Sequence, residues 1–180
     1  MPKHVFTNNR WFSYLVQINS MTEELKIIPN EGIGQVRFGM RPSEVKLIMG
    51  NYVEEYDEWM GQDTGNDFCY GDIIIQFSEE HIDEEKPHPI YCPPLHAHSR
   101  VCGFWVNSSS ARVTINGVAL NKITKEILCD MKIDGLPPKV NDGSSSGVGE
   151  TIFFREAALW FEFEVDGSFH YLEMGKSDGN

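Results

Sequence analysis

Two stretches of the chain have the spacing of apolar positions that predicts an α-helix. The first is residues 42–49, with Pro42 suited to the first helical position and Gly50 suited to ending the helix. The second is residues 124–131, with Thr124 as a suitable N-cap. The apolar positions that share one face are Val45, Ile48 and Met49 in the first helix, and Ile127, Leu128 and Met131 in the second.

Other stretches alternate apolar and polar residues, which is typical of strands with one buried face. The clearest is residues 158–165, in which Leu159, Phe161, Phe163 and Val165 are predicted to face inward. Gly71-Asp72 and Asp166-Gly167 are turn signals that predict hairpins. Trp105 and Trp160 are assigned to strands of the sheet, with a role as exposed contact residues as the alternative. Further strands are predicted at residues 33–38, 68–77, 101–106, 113–120, 151–154 and 169–174.

The order of strand, helix and further strands occurs twice. Placing Glu44-Val45 over Glu126-Ile127 also matches Val36 with Val118, and Phe38 with Leu120. This order predicts an α+β fold of two tandem helix-plus-antiparallel-sheet modules, which form one sheet with the helices on one face. The predicted boundaries are an N-terminal arm at residues 1–29, a first module at 30–107 and a second module at 108–180.

The net charge of −12 is concentrated in one segment. Residues 51–85 contain 12 of the 27 acidic residues and neither Lys nor Arg, so the rest of the chain is neutral. Such a segment repels nucleic acid and anionic membranes and favours a basic partner, although acidic runs also serve simply as solvated faces. Because Tyr52, Tyr56 and Trp59 are interleaved with the acids, the segment has the composition of an interface.

The remaining composition predicts a cytoplasmic protein. No apolar stretch approaches the length of a membrane span, and polar residues interrupt residues 1–20 where an export signal would need an apolar core. The four cysteines are few for the length, which favours reduced thiols.

Residues 33–45, with Gly39-Met40, Glu44-Val45 and the following Gly50, resemble a recurrent bacterial pattern. The segment is similar to the Gly-Met-Thr-x-x-Glu-Val helix start of the beta-lactamase inhibitory protein fold and of small outer-membrane assembly lipoproteins. It also resembles immunity proteins of polymorphic-toxin systems. The resemblance implies an acidic, non-enzymatic cytosolic protein made of tandem modules. Arg41 stands where the pattern has Thr, a loss of capping that should cost about 1 kcal/mol.

The sequence therefore predicts an immunity or inhibitor protein that binds and neutralises a bacterial toxin or effector through an acidic surface. It predicts no catalytic residue, metal or cofactor. The residues predicted to bind the partner are Tyr52, Glu54, Glu55, Tyr56, Asp57, Glu58, Trp59, Asp63, Glu79, Glu80, Asp83, Glu84 and Glu85.

Two alternatives remain open at this point. One is a metal- or thiol-dependent enzyme, because thiol and imidazole groups lie at short spacing in the segment from His88 to Cys102. Their spacing fits no standard zinc motif, and Cys102 falls in an apolar strand. The other alternative is a structural adaptor without a toxin partner. The ligand candidates are His88, Cys92, His96, His98 and Cys102.

Overall fold

The structure is a computed structural model that describes residues 23–52, 67–78, 99–141 and 149–176. Within these ranges the chain is rich in strands and contains two short helices. The helices are α1 (Pro42–Met49) and α2 (Lys125–Asp130). The strands are β1 (Leu25–Ile28), β2 (Gly32–Ile33), β3 (Val36–Arg37), β4 (Asp67–Cys69), β5 (Ile73–Ser78), β6 (Arg100–Asn107), β7 (Val113–Ile115), β8 (Val118–Ala119), β9 (Lys139–Asn141), β10 (Thr151–Phe154), β11 (Leu159–Phe163) and β12 (Phe169–Gly175).

The α+β class predicted from the sequence is confirmed, but the strands form two sheets. The large sheet has seven strands in the order β4-β5-β6-β12-β11-β10-β9, and every neighbouring pair in it is antiparallel. The small sheet has five strands in the order β3-β2-β1-β7-β8, and β1 runs parallel to β7. The large sheet therefore draws strands from both halves of the chain.

The prediction of one continuous sheet is wrong for the described residues. The strands at residues 32–37 and 113–119 are only two or three residues long, and they pair with each other through β1 rather than joining the large sheet. Alternation of apolar residues indicates that a strand has a buried face, but it does not indicate which strand lies beside it. β1 itself comes from the predicted N-terminal arm and lies between β2 and β7.

Helix α1 has the bounds that the sequence predicts, with Pro42 in the first turn and Gly50 at a φ of 81° after the last residue. Arg41 occupies the N-cap and makes no side-chain cap bond. Instead, the carboxylate of Glu44 accepts a hydrogen bond of 2.7 Å from the backbone N–H of Arg41. This bond supplies one half of a capping box and offsets part of the missing cap.

Helix α2 is shorter than predicted but turns the predicted apolar face toward the core. Thr124 is the N-cap, as predicted, and its hydroxyl accepts a bond from the N–H of Ile127 at 3.4 Å. Leu128 is fully buried, whereas Ile127 is only half-buried. Ile127 nevertheless packs against the core and Met131 is buried, so the predicted apolar face of Ile127, Leu128 and Met131 is confirmed.

The core lies on one face of the large sheet. The side chains that alternate inward from its strands are buried, together with Val45, Leu128 and most apolar residues of the small sheet. In β11 the buried residues are Leu159, Phe161 and Phe163, as predicted, but Val165 is 84% exposed. The strand ends at Phe163 because a hairpin loop begins at Glu164, which pairs with Ser168 by a backbone bond of 2.8 Å.

Candidate binding surface

Most of the predicted partner-binding residues lie outside the described residues. Tyr52 is the one predicted partner-binding residue within the described ranges, and it packs against the large sheet. Its ring stacks on Phe68 of β4 at a centroid distance of 4.1 Å, and the ammonium of Lys46 lies 4.8 Å from its ring centroid. The residues outside the described ranges are Glu54, Glu55, Tyr56, Asp57, Glu58, Trp59, Asp63, Glu79, Glu80, Asp83, Glu84 and Glu85.

The described residues show where the acid-rich segments join the fold. Residues 53–66 begin after Tyr52 and end before Asp67, and the Tyr52–Phe68 stack holds these two ends together. Residues 79–98 begin after Ser78, which pairs directly with Arg100. Asp67 pairs with Gln76, two residues before Ser78. Both segments, with five acids each, are therefore attached at the same end of neighbouring strands β4, β5 and β6.

The outer face of the large sheet, which points away from the core, carries a row of aromatic and acidic side chains. The strand register places Trp105 of β6 beside Glu173 of β12, Glu173 beside Trp160 of β11, and Trp160 beside Phe153 of β10. On the other side, Trp105 pairs with Ile74 of β5. All five side chains are half-buried, which is a normal degree of burial for the outer face of an antiparallel sheet. The number of large aromatic side chains on this face, however, is unusual for a solvent-facing surface.

Tyr171 extends this row toward one end of β12. Its ring stacks with Trp105 at a centroid distance of 5.7 Å, and its hydroxyl donates a hydrogen bond of 2.5 Å to the carboxylate of Glu162. Burial and the neighbouring carboxylate of Glu162 raise the pKa of the Tyr171 phenol, so it remains a protonated donor. The indole Nε1–H of Trp105 is buried and has no hydrogen-bond partner among the described residues.

Trp160 extends the row toward the other end of β12. Its six-membered ring covers Gly175, where an added Cβ would lie 3.5 Å from the ring. Glu173 thus stands between Tyr171, which is stacked on Trp105, and Gly175, which lies under Trp160. Among the described residues, the Glu173 carboxylate makes no hydrogen bond and no ion pair.

A second polar cluster is partly buried where the two sheets meet and has a structural role. The carboxylate of Asp72 accepts hydrogen bonds from Arg112 at 2.5 and 2.9 Å and from the Ser110 hydroxyl at 2.5 Å. Burial alone would raise the pKa of this carboxyl, but the bonds from Arg112 and Ser110 and the charge of Arg112 outweigh burial and lower it. The cluster joins the β4–β5 hairpin to the segment that leads into β7.

Of the five candidate metal and thiol ligands, only Cys102 lies within the described residues, and it is half-buried in β6. Burial raises the pKa of its thiol, which disfavours the reactive thiolate. The described ranges contain no group of three His, Cys, Asp or Glu side chains placed to hold a metal ion. His88, Cys92, His96 and His98 lie outside the described residues.

Sequence reasoning assigned Trp105 and Trp160 to the sheet, and the structure confirms this in β6 and β11. It did not single out Glu173, Tyr171 or Phe153 as surface residues. The alternation of β12 contains a usable signal, because Tyr171 and Glu173 flank the buried Leu172. Their position beside Trp105 and Trp160, however, is set by pairing between strands that are far apart in the chain, so the local pattern does not reveal it.

None of the helices in the described ranges is long and apolar enough to cross a membrane. Comparisons of the chain with protein-family models, with curated proteins and with solved structures found no match.

Proposed function

We propose that the protein is a cytoplasmic immunity or inhibitor protein that binds a basic toxin or effector protein and blocks it. The partner would contact the acid-rich segments at residues 53–66 and 79–98. The protein would act by steric occlusion and charge complementarity, with no catalytic residue, metal or cofactor, and without binding nucleic acid or membranes.

The observation that supports this proposal best is the common attachment of the two acid-rich segments. Their anchor residues Asp67, Ser78 and Arg100 lie on three neighbouring strands at one end of the large sheet. Ten acids and one lysine are thereby tethered to a single end of the fold. Like charges held close together repel one another, and a basic partner relieves that repulsion when it binds.

We also propose that the chain is a tandem of two related modules. The offset that superposes Glu44 on Glu126 also superposes the Ile33–Val36 hairpin of β2 and β3 on the Ile115–Val118 hairpin of β7 and β8. In addition, the large sheet contains two antiparallel meanders, β4-β5-β6 and β10-β11-β12, which meet at their last strands. Two modules of this kind would present one extended surface to a partner.

The test is a growth-protection assay. The chain is coexpressed with each protein encoded next to it, and growth is measured with and without the chain. We expect one neighbour to arrest growth when expressed alone and to be tolerated in the presence of the chain. A variant with Glu54, Glu55, Asp57 and Glu58 changed to Lys should lose protection, because the attraction becomes repulsion.

The matched control reverses four exposed acids elsewhere: Glu23, Glu31, Asp130 and Glu156. The two variants have the same net charge, so a loss of protection confined to the first depends on position and not on total charge. The proposed function is rejected if no neighbouring protein is toxic, or if the first variant protects as well as the unmodified chain.

A further inference from the structure

The outer face of the large sheet offers a second contact, distinct from the acid-rich segments. We propose that Glu173, Trp105, Tyr171 and Trp160 form a binding site for one arginine side chain presented by the basic protein partner. The identity of that partner rests on the proposed function. The chemistry of the site can be tested without the partner.

Glu173 stands between the two indoles on the outer face of the large sheet. It lies on β12, in direct register with Trp105 on one neighbouring strand and Trp160 on the other. Neighbouring strands are about 4.8 Å apart, so the two indoles arise roughly 10 Å from each other with the carboxylate between them. Side chains stand nearly perpendicular to a sheet, so all three groups project to the same side.

The two indole rings lean in opposite directions along β12. Trp105 leans toward Tyr171, with which it stacks at 5.7 Å, and Trp160 leans over Gly175. The two indoles thus lean toward opposite neighbours of Glu173 along β12. Glu173 is therefore flanked by aromatic groups whose contacts lie to either side of it.

The charge of Glu173 favours a cationic ligand. Among the described residues Glu173 has no ion-pair partner, and the Glu162 carboxylate accepts the Tyr171 hydroxyl. A carboxylate bordered by aromatic rings favours a cation, because the faces of the rings also attract positive charge. Arginine suits the site better than lysine, since its planar guanidinium can stack on an indole while it donates two hydrogen bonds to a carboxylate.

The probe is a tetrapeptide with one arginine, compared with the same peptide carrying citrulline, which is an uncharged side chain of the same shape. Binding is followed by NMR through the indole N–H signals of Trp105 and Trp160, assigned with Trp→Phe variants. We expect both signals to shift with the arginine peptide, with a dissociation constant of about 1 mM or weaker, as befits a single contact. The citrulline peptide should leave the signals unchanged.

The variant Glu173→Gln keeps the shape of the side chain and removes its charge. It should weaken binding by about tenfold, because a charge-assisted hydrogen bond is lost. Glu156→Gln, on the exposed turn between β10 and β11 and outside this row of side chains, is the matched control and should bind as the unmodified chain does. Dispersion of the amide spectrum shows that each variant is folded.

Arginine peptides can also bind the acid-rich segments, so the titration is repeated in the variant with Glu54, Glu55, Asp57 and Glu58 changed to Lys. The shifts of Trp105 and Trp160 should persist there. Equal shifts with citrulline, or unchanged affinity in Glu173→Gln, would overturn the arginine site and leave the proposed function standing. If the arginine peptide binds as expected but the chain protects against no neighbouring protein, the arginine site stands and the proposed function is rejected.

Discussion

At the scale of single residues, the molecule depends on one partly buried polar cluster that joins its two sheets. Asp72 sits in the turn between β4 and β5, and Arg112 and Ser110 precede β7. The side chains of Asp72 and Arg112 are 22% and 13% exposed, so neither charge is well solvated without the other. Removing one member would leave a partly buried charge unpaired, which costs more than the pair contributes.

We expect Asp72→Asn to lower the free energy of unfolding by about 2 kcal/mol at neutral pH, because hydrogen bonds to a charged group are lost. The pKa of the folded Asp72 carboxyl lies below its ordinary value of 3.8. Its contribution is therefore present above about pH 4 and is lost as the pH falls through the lowered pKa. Urea unfolding at several pH values measures the effect.

The difference between Asp72→Asn and the unmodified chain should accordingly shrink below about pH 4. Asp130→Asn, at an exposed position, is the control and should change stability by less than about 0.5 kcal/mol. A difference that does not depend on pH would show that the charge of Asp72 is not what stabilises the fold.

At the scale of elements, local signals were sufficient where an element is stabilised locally. Pro42 and Gly50 bound α1 at the predicted residues, Thr124 caps α2, and Gly71-Asp72 forms the turn of the β4–β5 hairpin. The errors arise where tertiary packing decides. Val165 continues an apolar alternation and yet lies in a hairpin loop, and the strands β2, β3, β7 and β8 join a second sheet instead of the large one.

The helices provide an internal comparison of buried and exposed apolar residues. Val45 and Leu128 are fully buried, whereas Leu47, on the other side of α1, is 87% exposed. We expect Val45→Asp and Leu128→Asp each to destabilise the fold by at least about 3 kcal/mol, because each buries an unpaired charge and loses core contacts. Leu47→Asp should change stability by less than about 0.5 kcal/mol.

Chemical unfolding of the three variants, followed by tryptophan fluorescence, tests this assignment. A silent change at Val45 or Leu128 would mean that the corresponding helix is not part of the core. A large effect at Leu47 would show that the exposed side of α1 is covered by another part of the protein.

At the scale of the whole molecule, the sequence could not predict how the strands assemble. The parallel pairing of β1 with β7, and the pairing of β6 with β12, join segments that are far apart in the chain. Local alternation contains no information about such partners. The same limit applies to the candidate surface, because Trp105, Trp160 and Glu173 come together only through the register of three strands. The acidic segment, in contrast, is evident from composition alone.

The N-terminal region gives the sharpest test of the assembly. The predicted arm, residues 1–29, ends in β1, where Leu25 and Ile27 are buried and connect β2 to β7. We expect deletion of residues 1–20 to leave the midpoint of thermal unfolding within a few degrees. Deletion of residues 1–29 should abolish cooperative unfolding, because losing two buried aliphatic side chains costs about 2–5 kcal/mol each, against a typical domain stability of about 5–15 kcal/mol.

Circular dichroism of the two truncated chains decides between these outcomes. If both deletions abolish cooperative unfolding, residues 1–20 also contribute to the core, and Phe6, Trp11, Phe12, Tyr14 and Leu15 are the side chains to examine next. If both chains unfold cooperatively, β1 is dispensable. The strands β2–β3 and β7–β8 would then be held by their packing against the large sheet, without the ladder through Leu25–Ile28 that joins them in the structure.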